Sequence, residues 1–329
     1  MPRITVAGSD ASFECTAGDT ILRAALREGI GMPYSCNVGS CGNCRFELVE
    51  GAVDHARADA PAWSERDLKR NRWLGCQAIP QGDCTVKFRS TPDALAPARP
   101  ALRQAQLVSV EDVTRDIREF RFAVEGPDAF EPGQYALISA PQIASARAYS
   151  MANLPGDGLW HFQIKRVPGG ALTGYLFDTL APGGTVTLDG PYGTAYLRPD
   201  SPRDLILMAG GSGLSPMVSI ARGAAATGLT AHRKVHFLYG CRSRADLFDP
   251  SLVTSIDPAI SLTAVLSEPD AGWDGATGFL HDHADATFGA ALAEAEIYFA
   301  GPAAMSGAIQ RMAHDSGVPM TQLHFDEFY

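Results

Sequence analysis

The sequence has little that would take it into a membrane. Its start, MPRITVAGSD, lacks the basic stretch and apolar run of a secretory leader. Its most apolar segment, LILMAGGSGLSPMVSIA, is broken by Gly, Ser and Pro and is too short to cross a bilayer. Positive charge is also scarce: 27 Lys and Arg stand against 37 Asp and Glu, a formal net charge of −10, which argues against nucleic acid as the main partner. Seven cysteines in 329 residues do not suggest a disulfide framework, so a reducing cytoplasm is the expected location. No triad-like set of nucleophile and base stands out, so chemistry based on protein side chains alone is not expected. With 46% hydrophobic and 19% charged residues, the chain has enough apolar material for real cores, and its length suggests two or three domains.

The cysteines that are present are placed unevenly. Cys36, Cys41 and Cys44 form a C-x4-C-x2-C run inside YSCNVGSCGNCR, and Cys76 follows at long range in RWLGCQ. A C-x2-C pair alone would suit zinc or a thiol–disulfide motif. The x4 spacing, the internal Gly39 and Gly42 and the distant fourth cysteine favour a plant-type [2Fe–2S] cluster, in which four thiolates hold two irons. The glycines let backbone N–H groups turn onto the sulfurs. Around the run, Ile4–Val6 and Phe13–Cys15 alternate as strands. Asp19 is the expected N-cap of a helix over Thr20–Glu28, with Ile21, Leu22, Ala25 and Leu26 as its apolar face. Phe46–Val49 and Thr85–Phe88 read as strands, with a short helix capped by Ser64 between them. This order resembles the β-grasp ferredoxin fold. Cys15, Cys84 and Cys241 lie outside the motif and read as small apolar residues.

The first region therefore ends near residue 92, and residues 93–101, inside the Pro- and Ala-rich STPDALAPARPA, read as a partly extended linker. From 102 to 200 short strands separated by Gly and Pro turns predict an antiparallel barrel. It carries Arg147-Ala148-Tyr149-Ser150 and then Gly169-Gly170 with Thr173 at the start of a helix. An arginine fork suits a phosphate, a tyrosine offers a flat amphipathic face, and a glycine turn at a helix start presents N–H groups to an anion. Residues 201–329 read as a doubly wound α/β domain. A buried strand, Asp204–Met208, runs into Gly210-Gly211-Ser212-Gly213-Leu214-Ser215-Pro216-Met217 and a helix, the usual seat of a pyrophosphate. His281 and His283, flanked by Asp, read as a surface patch at a helix start and not as metal ligands.

Taken together these motifs resemble the ferredoxin–NADP reductase superfamily, and over essentially the whole chain the NADH-dependent reductase components of bacterial multicomponent oxygenases. The resemblance implies that Arg147 meets the flavin pyrophosphate, Tyr149 lies on the flavin ring and Ser150 hydrogen-bonds near it, with Gly169, Gly170 and Thr173 completing the FAD site; Thr173 stands where many relatives have Ser. It assigns Gly210, Gly211, Gly213, Pro216, Arg242, Gly301 and Pro302 to NAD, with Ala300 in place of the usual cysteine of the C-G-P element. Asp246, near Arg242 and Arg244, would repel a 2′-phosphate, which favours NADH. Phe328 or Tyr329 at the end of the chain would either shield the flavin or form a packed tail. The implied activity is electron transfer from NADH through FAD and a [2Fe–2S] cluster to an oxygenase or hydroxylase component or its Rieske-type ferredoxin, in a monomeric protein. Two alternatives stay open: a stand-alone NAD(P)H oxidoreductase for a small acceptor, and the reductase of a cytochrome P450.

Overall fold

A computed structural model describes residues 1–141, 143, 145–156 and 158–326. The first stretch of chain folds as β1 (Arg3–Val6), β2 (Ser12–Glu14), α1 (Ile21–Arg27), β3 (Arg45–Glu50), β4 (Val53–His55), α2 (Glu65–Lys69), β5 (Arg72–Leu74), β6 (Ala78–Pro80) and β7 (Cys84–Lys87). Five strands make one sheet in the order β2-β1-β7-β3-β5, and β4 pairs with β6 apart from it. β1 and β7 are parallel and the other neighbours antiparallel. The period of two decides the faces: Ile4, Val6, Phe46, Leu48 and Val86 point inward, where Ile21, Leu22, Ala25 and Leu26 of α1 cover them.

α1 starts one residue later than expected. Thr20 is its N-cap, without a side-chain cap bond, because Asp19 is engaged elsewhere. One Asp19 oxygen accepts from the Thr20 N–H at 2.8 Å and the other pairs with Arg27 at 2.7 Å. Ser64, by contrast, caps α2 as the sequence suggests, in a reciprocal capping box with Asp67. The segment read as an extended linker is tied down instead. Thr91 donates to the Gly31 carbonyl, Pro92–Ala94 forms a 3-10 turn, Ala94 is buried in the first core, and Arg99 donates to the Arg27 carbonyl.

A second sheet contains β8 (Ala101–Asp112), β9 (Ile117–Val124), β10 (Tyr135–Ser139), β11 (Arg147–Ser150), β12 (Leu159–Lys165) and, after α3 (Ala171–Asp178), β13 (Thr185–Tyr192). All pairings are antiparallel, in the order β11-β10-β13-β8-β9-β12. The two edges, β11 and β12, meet just past Ser150 at one bridge, Met151 to Phe162. Phe120, Phe122, Trp160 and Phe162 fill its interior, and Leu172 and Leu176 of α3 pack on them.

The third sheet is parallel throughout. It contains β14 (Leu205–Gly210), α4 (Leu214–Ala226), β15 (Val235–Cys241), α5 (Ser251–Thr254), β16 (Ile260–Leu266), β17 (Ala276–Thr277), α6 (Leu280–Phe288), β18 (Glu296–Ala300), α7 (Ala303–Asp315) and β19 (Leu323–His324). The strand order β17-β16-β15-β14-β18-β19 reverses direction at β14, with helices on both faces. In such sheets the ligand crevice opens beyond the carboxyl ends of the strands at the reversal, which here are β14 and β18. Among the described residues no helix is long and apolar enough to cross a membrane.

Candidate functional site: three adjoining seats

The cysteine loop between α1 and β3 brings the four predicted thiols together in two pairs, Cys36 with Cys41 and Cys44 with Cys76. The hydrogen bond inside each pair, before any other influence, holds one thiol below the ordinary range and pushes the other above it; Cys36 falls to about 6. Backbone N–H groups of Val38, Ser40 and Cys41 all donate to Cys36 Sγ, at 3.5, 3.3 and 3.4 Å. Gln77 Nε2 donates to Cys76 Sγ at 3.6 Å. Gly39 and Gly42 have φ of +84° and +82°, where a side chain is strained. A Cβ on Gly39 would also lie 3.0 Å from Ala60. Among the described residues no three His, Cys, Asp or Glu converge on a single metal ion. The arrangement of the four thiols in two pairs, with N–H groups turned onto Cys36, fits two thiolates for each of two irons.

β11 is Arg147–Ser150 itself, on the edge of the second sheet. The Arg147 guanidinium stays exposed and donates to the carbonyls of Ser145 and Ala146 at 3.3 and 3.1 Å. Tyr149 packs its body against the second core, and burial pushes its hydroxyl up to about 12. Gly169 has φ +70° and open space where a side chain would stand, and Gly170 begins α3. Thr173 is buried, and its hydroxyl closes the turn before the helix by bonding Val167 and Gly170. The Thr173 hydroxyl thus also shapes the turn that would face an anion.

In the third sheet Gly210–Gly213 and Gly301-Pro302 end the two strands at the reversal. Gly213 is required by contact: a Cβ there would stand 1.9 Å from the Ala300 carbonyl oxygen. Gly210 and Gly301 both face Met305, whose sulfur or methyl would lie 2.5 Å from a Cβ at either position. Pro216 is buried in the first turn of α4. Arg242 is exposed just past β15. Arg244 pairs with Asp270 at 3.2 Å and lies over Trp273, while Asp246 pairs with Arg115 at 2.6 Å and accepts from Ser243. His281 sits beside Asp282 and the Phe279 ring. Phe328 and Tyr329 lie outside the described residues.

These seats adjoin. Ser215 donates its hydroxyl to the Ser150 carbonyl at 2.7 Å, so the glycine turn of the third sheet rests on the R-A-Y-S strand of the second. Ser219 donates to the Asn153 carbonyl at 2.9 Å and Arg222 to that of Ala152 at 2.8 Å. On the other side, Tyr135 of β10 donates to the carbonyl of Ser35, the residue before Cys36. The Tyr34 hydroxyl accepts from the Gly193 N–H at 2.9 Å. Tyr135, Leu137 and Tyr192 belong to the same apolar cluster as α1 and β1.

Three family descriptions match separate parts of the chain. Residues 4–81 match the family described as "2Fe-2S iron-sulfur cluster binding domain", 104–196 "Oxidoreductase FAD-binding domain" and 207–311 "Oxidoreductase NAD-binding domain". The chain is 40% identical to a ferredoxin–NAD(P)(+) reductase of Metapseudomonas resinovorans over 325 residues, covering 96% of both chains. It is 38% identical to the ferredoxin–NAD(+) reductase component of the alkene monooxygenase system of Xanthobacter autotrophicus over 327 residues, covering 96% and 98%. Among solved structures, the ferredoxin reductase in carbazole 1,9a-dioxygenase superposes with a TM-score of 0.93 at 36% identity, covering 100% and 98%. The chain belongs to the ferredoxin–NAD(P)+ reductase family. It is a redox-active oxidoreductase with FAD- and NAD(H)-binding domains and an iron–sulfur domain, related to the reductase components of oxygenase systems.

Within that family frame, several contact residues were not legible in the sequence. Tyr34, Tyr135 and Asp189 act between regions far apart in the chain, and no local pattern joins them. Asp189 is 9% exposed, receives Arg27 at 2.6 Å and accepts from the Tyr192 hydroxyl at 2.9 Å. Met305 had no signal beyond lying in a helix.

Proposed function

We propose that this reductase carries electrons from NADH through FAD and a [2Fe–2S] cluster to an oxygenase or hydroxylase component or its Rieske-type ferredoxin. The observation that supports it most is the pair of hydrogen-bonded junctions, Ser215 to Ser150 and Tyr135 to Ser35, which suit seats in the order nicotinamide, flavin, cluster. The cofactors when bound supply hydride acceptance and its release as single electrons. The chain's own residues bind and orient. Arg147 and the N–H groups after Gly169 and Gly170 hold the flavin pyrophosphate, Tyr149 and Ser150 set its ring, and Thr173 fixes the turn. Gly210, Gly211 and Gly213, with Pro216 in the first turn of α4, seat the nicotinamide dinucleotide beside Gly301 and Pro302, with Arg242 at its ribose end. Cys36, Cys41, Cys44 and Cys76 hold the two irons.

NADH is the favoured donor. Asp246 stays ionised, since hydrogen bonds from Ser243 and Arg115 outweigh its burial, and Arg244 is already committed to Asp270 and Trp273. The working units are residues 1–92, 102–200 and 201–329, in a cytoplasmic monomer whose second sheet closes as a barrel. A reductase of the toluene 4-monooxygenase kind is the finer reading, and the xylene/toluene monooxygenase electron transfer component of Pseudomonas putida is 30% identical over 334 residues. A cytochrome P450 partner is the second reading, favoured by the likeness to the Amycolatopsis cytochrome P450 reductase, with a TM-score of 0.86 at 33% identity.

The test is anaerobic rapid mixing of the holoprotein with NADH and, separately, NADPH. The flavin band bleaches first and the iron–sulfur band follows, faster with NADH. Absence of flavin bleaching, or sustained fast turnover with free flavin or quinone as a specific acceptor, overturns the reading.

A further inference from the structure

The first region has 11 basic and 11 acidic side chains over residues 1–92, but they are not mixed evenly over its surface. On the outer face of the first sheet the register sets Glu47 opposite Arg72 on one side and Lys87 on the other. Arg45 lies two residues from Glu47 on the same face, and Arg89 follows β7. Arg45, Arg72, Lys87 and Arg89 line one shallow groove with Glu47 and Phe88, so with Arg45 held by Asp67 three further cations stand against the one carboxylate of the groove. Among the described residues Arg72, Lys87 and Arg89 have no ion pair or hydrogen bond from their side chains. The nearby Asp67 is already taken by Arg45 at 3.1 Å and by Ser64. Helix α2 adds exposed Arg66, Lys69 and Arg70 around Leu68, which is 50% exposed, against one exposed acid, Glu65, beside the edge strand β5.

This face runs directly into the cysteine loop. Arg45 follows Cys44, and its guanidinium donates to the Ala62 carbonyl at 2.6 Å and lies 3.5 Å from the Gly42 carbonyl. The Ala62 N–H in turn donates to the Gly39 carbonyl at 3.1 Å. Beside it Trp63 stacks between His55 at 4.2 Å and Trp73 at 5.2 Å, all half-buried. Arginine with tryptophan, around a partly apolar centre, is the composition of protein contact surfaces. The rest of the chain has the opposite sign: residues 201–329 carry 7 basic and 14 acidic side chains.

We propose that this outer face, Arg45, Arg72, Lys87 and Arg89 with the α2 cations, docks an electron-accepting protein that presents Asp and Glu around its redox centre. The inference rests on the electron-transfer reading above and adds the charge of the partner and the face it meets. Each encounter passes one electron from the reduced cluster to the partner's one-electron centre. Two encounters consume one NADH, which leaves as NAD+ and a proton. Complementary charge steers the approach, and the short segment Gly42–Arg45 brings the partner against the cluster loop.

The test uses one haem protein in two charge forms: cytochrome c, whose surface is cationic, and the same protein with its lysines succinylated. NADH-driven haem reduction by the holoprotein is followed by stopped flow across a salt series. The succinylated form is reduced about tenfold faster at low ionic strength, and the advantage shrinks to about twofold near 0.5 M salt, where screening is short-ranged. Arg72→Gln with Lys87→Gln removes most of that advantage, and Arg72→Glu with Lys87→Glu inverts it. A calorimetric titration of the oxidised protein with the succinylated form, which involves no turnover, weakens in parallel. Flavin bleaching by NADH stays unchanged in all variants. Equal rates for the two charge forms, or variants that leave the ratio unmoved while flavin bleaching is normal, overturn the docking face alone. So does binding of a 20-base-pair DNA duplex, or salt-sensitive dimerisation, that the same substitutions abolish while the haem ratio stands. Loss of flavin bleaching in the unmodified protein overturns the underlying electron-transfer reading.

Discussion

The contact most open to a quantitative test is the one that holds the iron–sulfur region against the flavin sheet. Arg27 of α1 reaches Asp189 of β13 at 2.6 Å, with side chains 23% and 9% exposed, and Arg23 stands at 4.0 Å. Removing one partner of a fully buried pair costs about 3–5 kcal/mol, whereas an exposed pair gives about 0–1 kcal/mol. This pair lies between those limits. After loss of Asp189, Arg27 retains Asp19 at 2.7 Å and some solvent; after loss of Arg27, Asp189 retains the Tyr192 hydroxyl and Arg23. The coupling energy from a double-mutant cycle of Arg27→Ala and Asp189→Ala is therefore expected at about 2 kcal/mol, with each single variant losing about 2–3 kcal/mol and the double variant little more. Urea titrations of the four proteins, extrapolated linearly, supply the cycle. Rapid mixing with NADH supplies a second readout: flavin bleaching keeps its rate in every variant, while the later iron–sulfur phase slows in the singles. A coupling energy below about 0.5 kcal/mol with an unchanged iron–sulfur phase would show an ordinary surface ion pair and refute the reasoning.

Cys76→Ser should remove the iron–sulfur absorbance, because Cys76 is 1% exposed and is the second thiol of the Cys44 pair, while NADH-driven flavin bleaching survives; bleaching that vanishes with the cluster would contradict separate seats. Gly213→Ala should abolish that bleaching and cost about 3 kcal/mol or more, since its Cβ would fall 1.9 Å from the Ala300 oxygen. Gly211→Ala has room but a φ of +57°, so its cost is about 1 kcal/mol; thermal melting and NADH titration of the two variants check the order. For Glu119, burial pushes the carboxyl up, but hydrogen bonds from His161, Gln163 and Arg121 outweigh it and hold the group at about 2, against an ordinary 4.5. A depressed carboxylate stabilises fully above the ordinary value and loses that contribution as pH falls from there through about 2. Glu119→Gln should then flatten the acid limb of the melting curve in that window, by an amount on the order of 3 kcal/mol; acid limbs that run parallel in both proteins would show that the network does not stabilise.

What could be read from the chain is what depends on local chemistry. The C-x4-C-x2-C run, the strand–glycine–helix turn at Gly210–Gly213 and the Ser64 capping box each owe their form to neighbours within a few residues, and each appears where the sequence puts it. What could not be read depends on partners brought close only by folding. Asp19 looked like a helix cap, but Arg27, which also answers Asp189, takes it. Thr173 is assigned to the flavin site by resemblance alone, and its local partners, Val167 and Gly170, could not be read from the chain. STPDALAPARPA looked extended, but the Gly31 carbonyl and the first core give it local partners.

The same distinction explains how the regions are joined. Within each sheet the stabilising contacts are apolar, and nearly every hydrogen bond between regions involves a short hydroxyl, an arginine or a backbone group: Ser215, Ser219 and Arg222 on one junction, Tyr34, Tyr135 and Arg27 on the other. Apolar packing tolerates sliding, whereas a hydroxyl bonded to one carbonyl fixes a register. On α4 the three donors recur at positions 215, 219 and 222, one helical face, and they meet Ser150, Asn153 and Ala152 in the chain that leaves β11. A hydride donor and its acceptor react only when their atoms stand about 3–3.5 Å apart in good alignment, and with both cofactors bound this face would hold the two seats in register for that step. The junction toward the cluster has a looser requirement, since an electron crosses a longer gap, and there a single buried carboxylate, Asp189, with two tyrosine hydroxyls is enough.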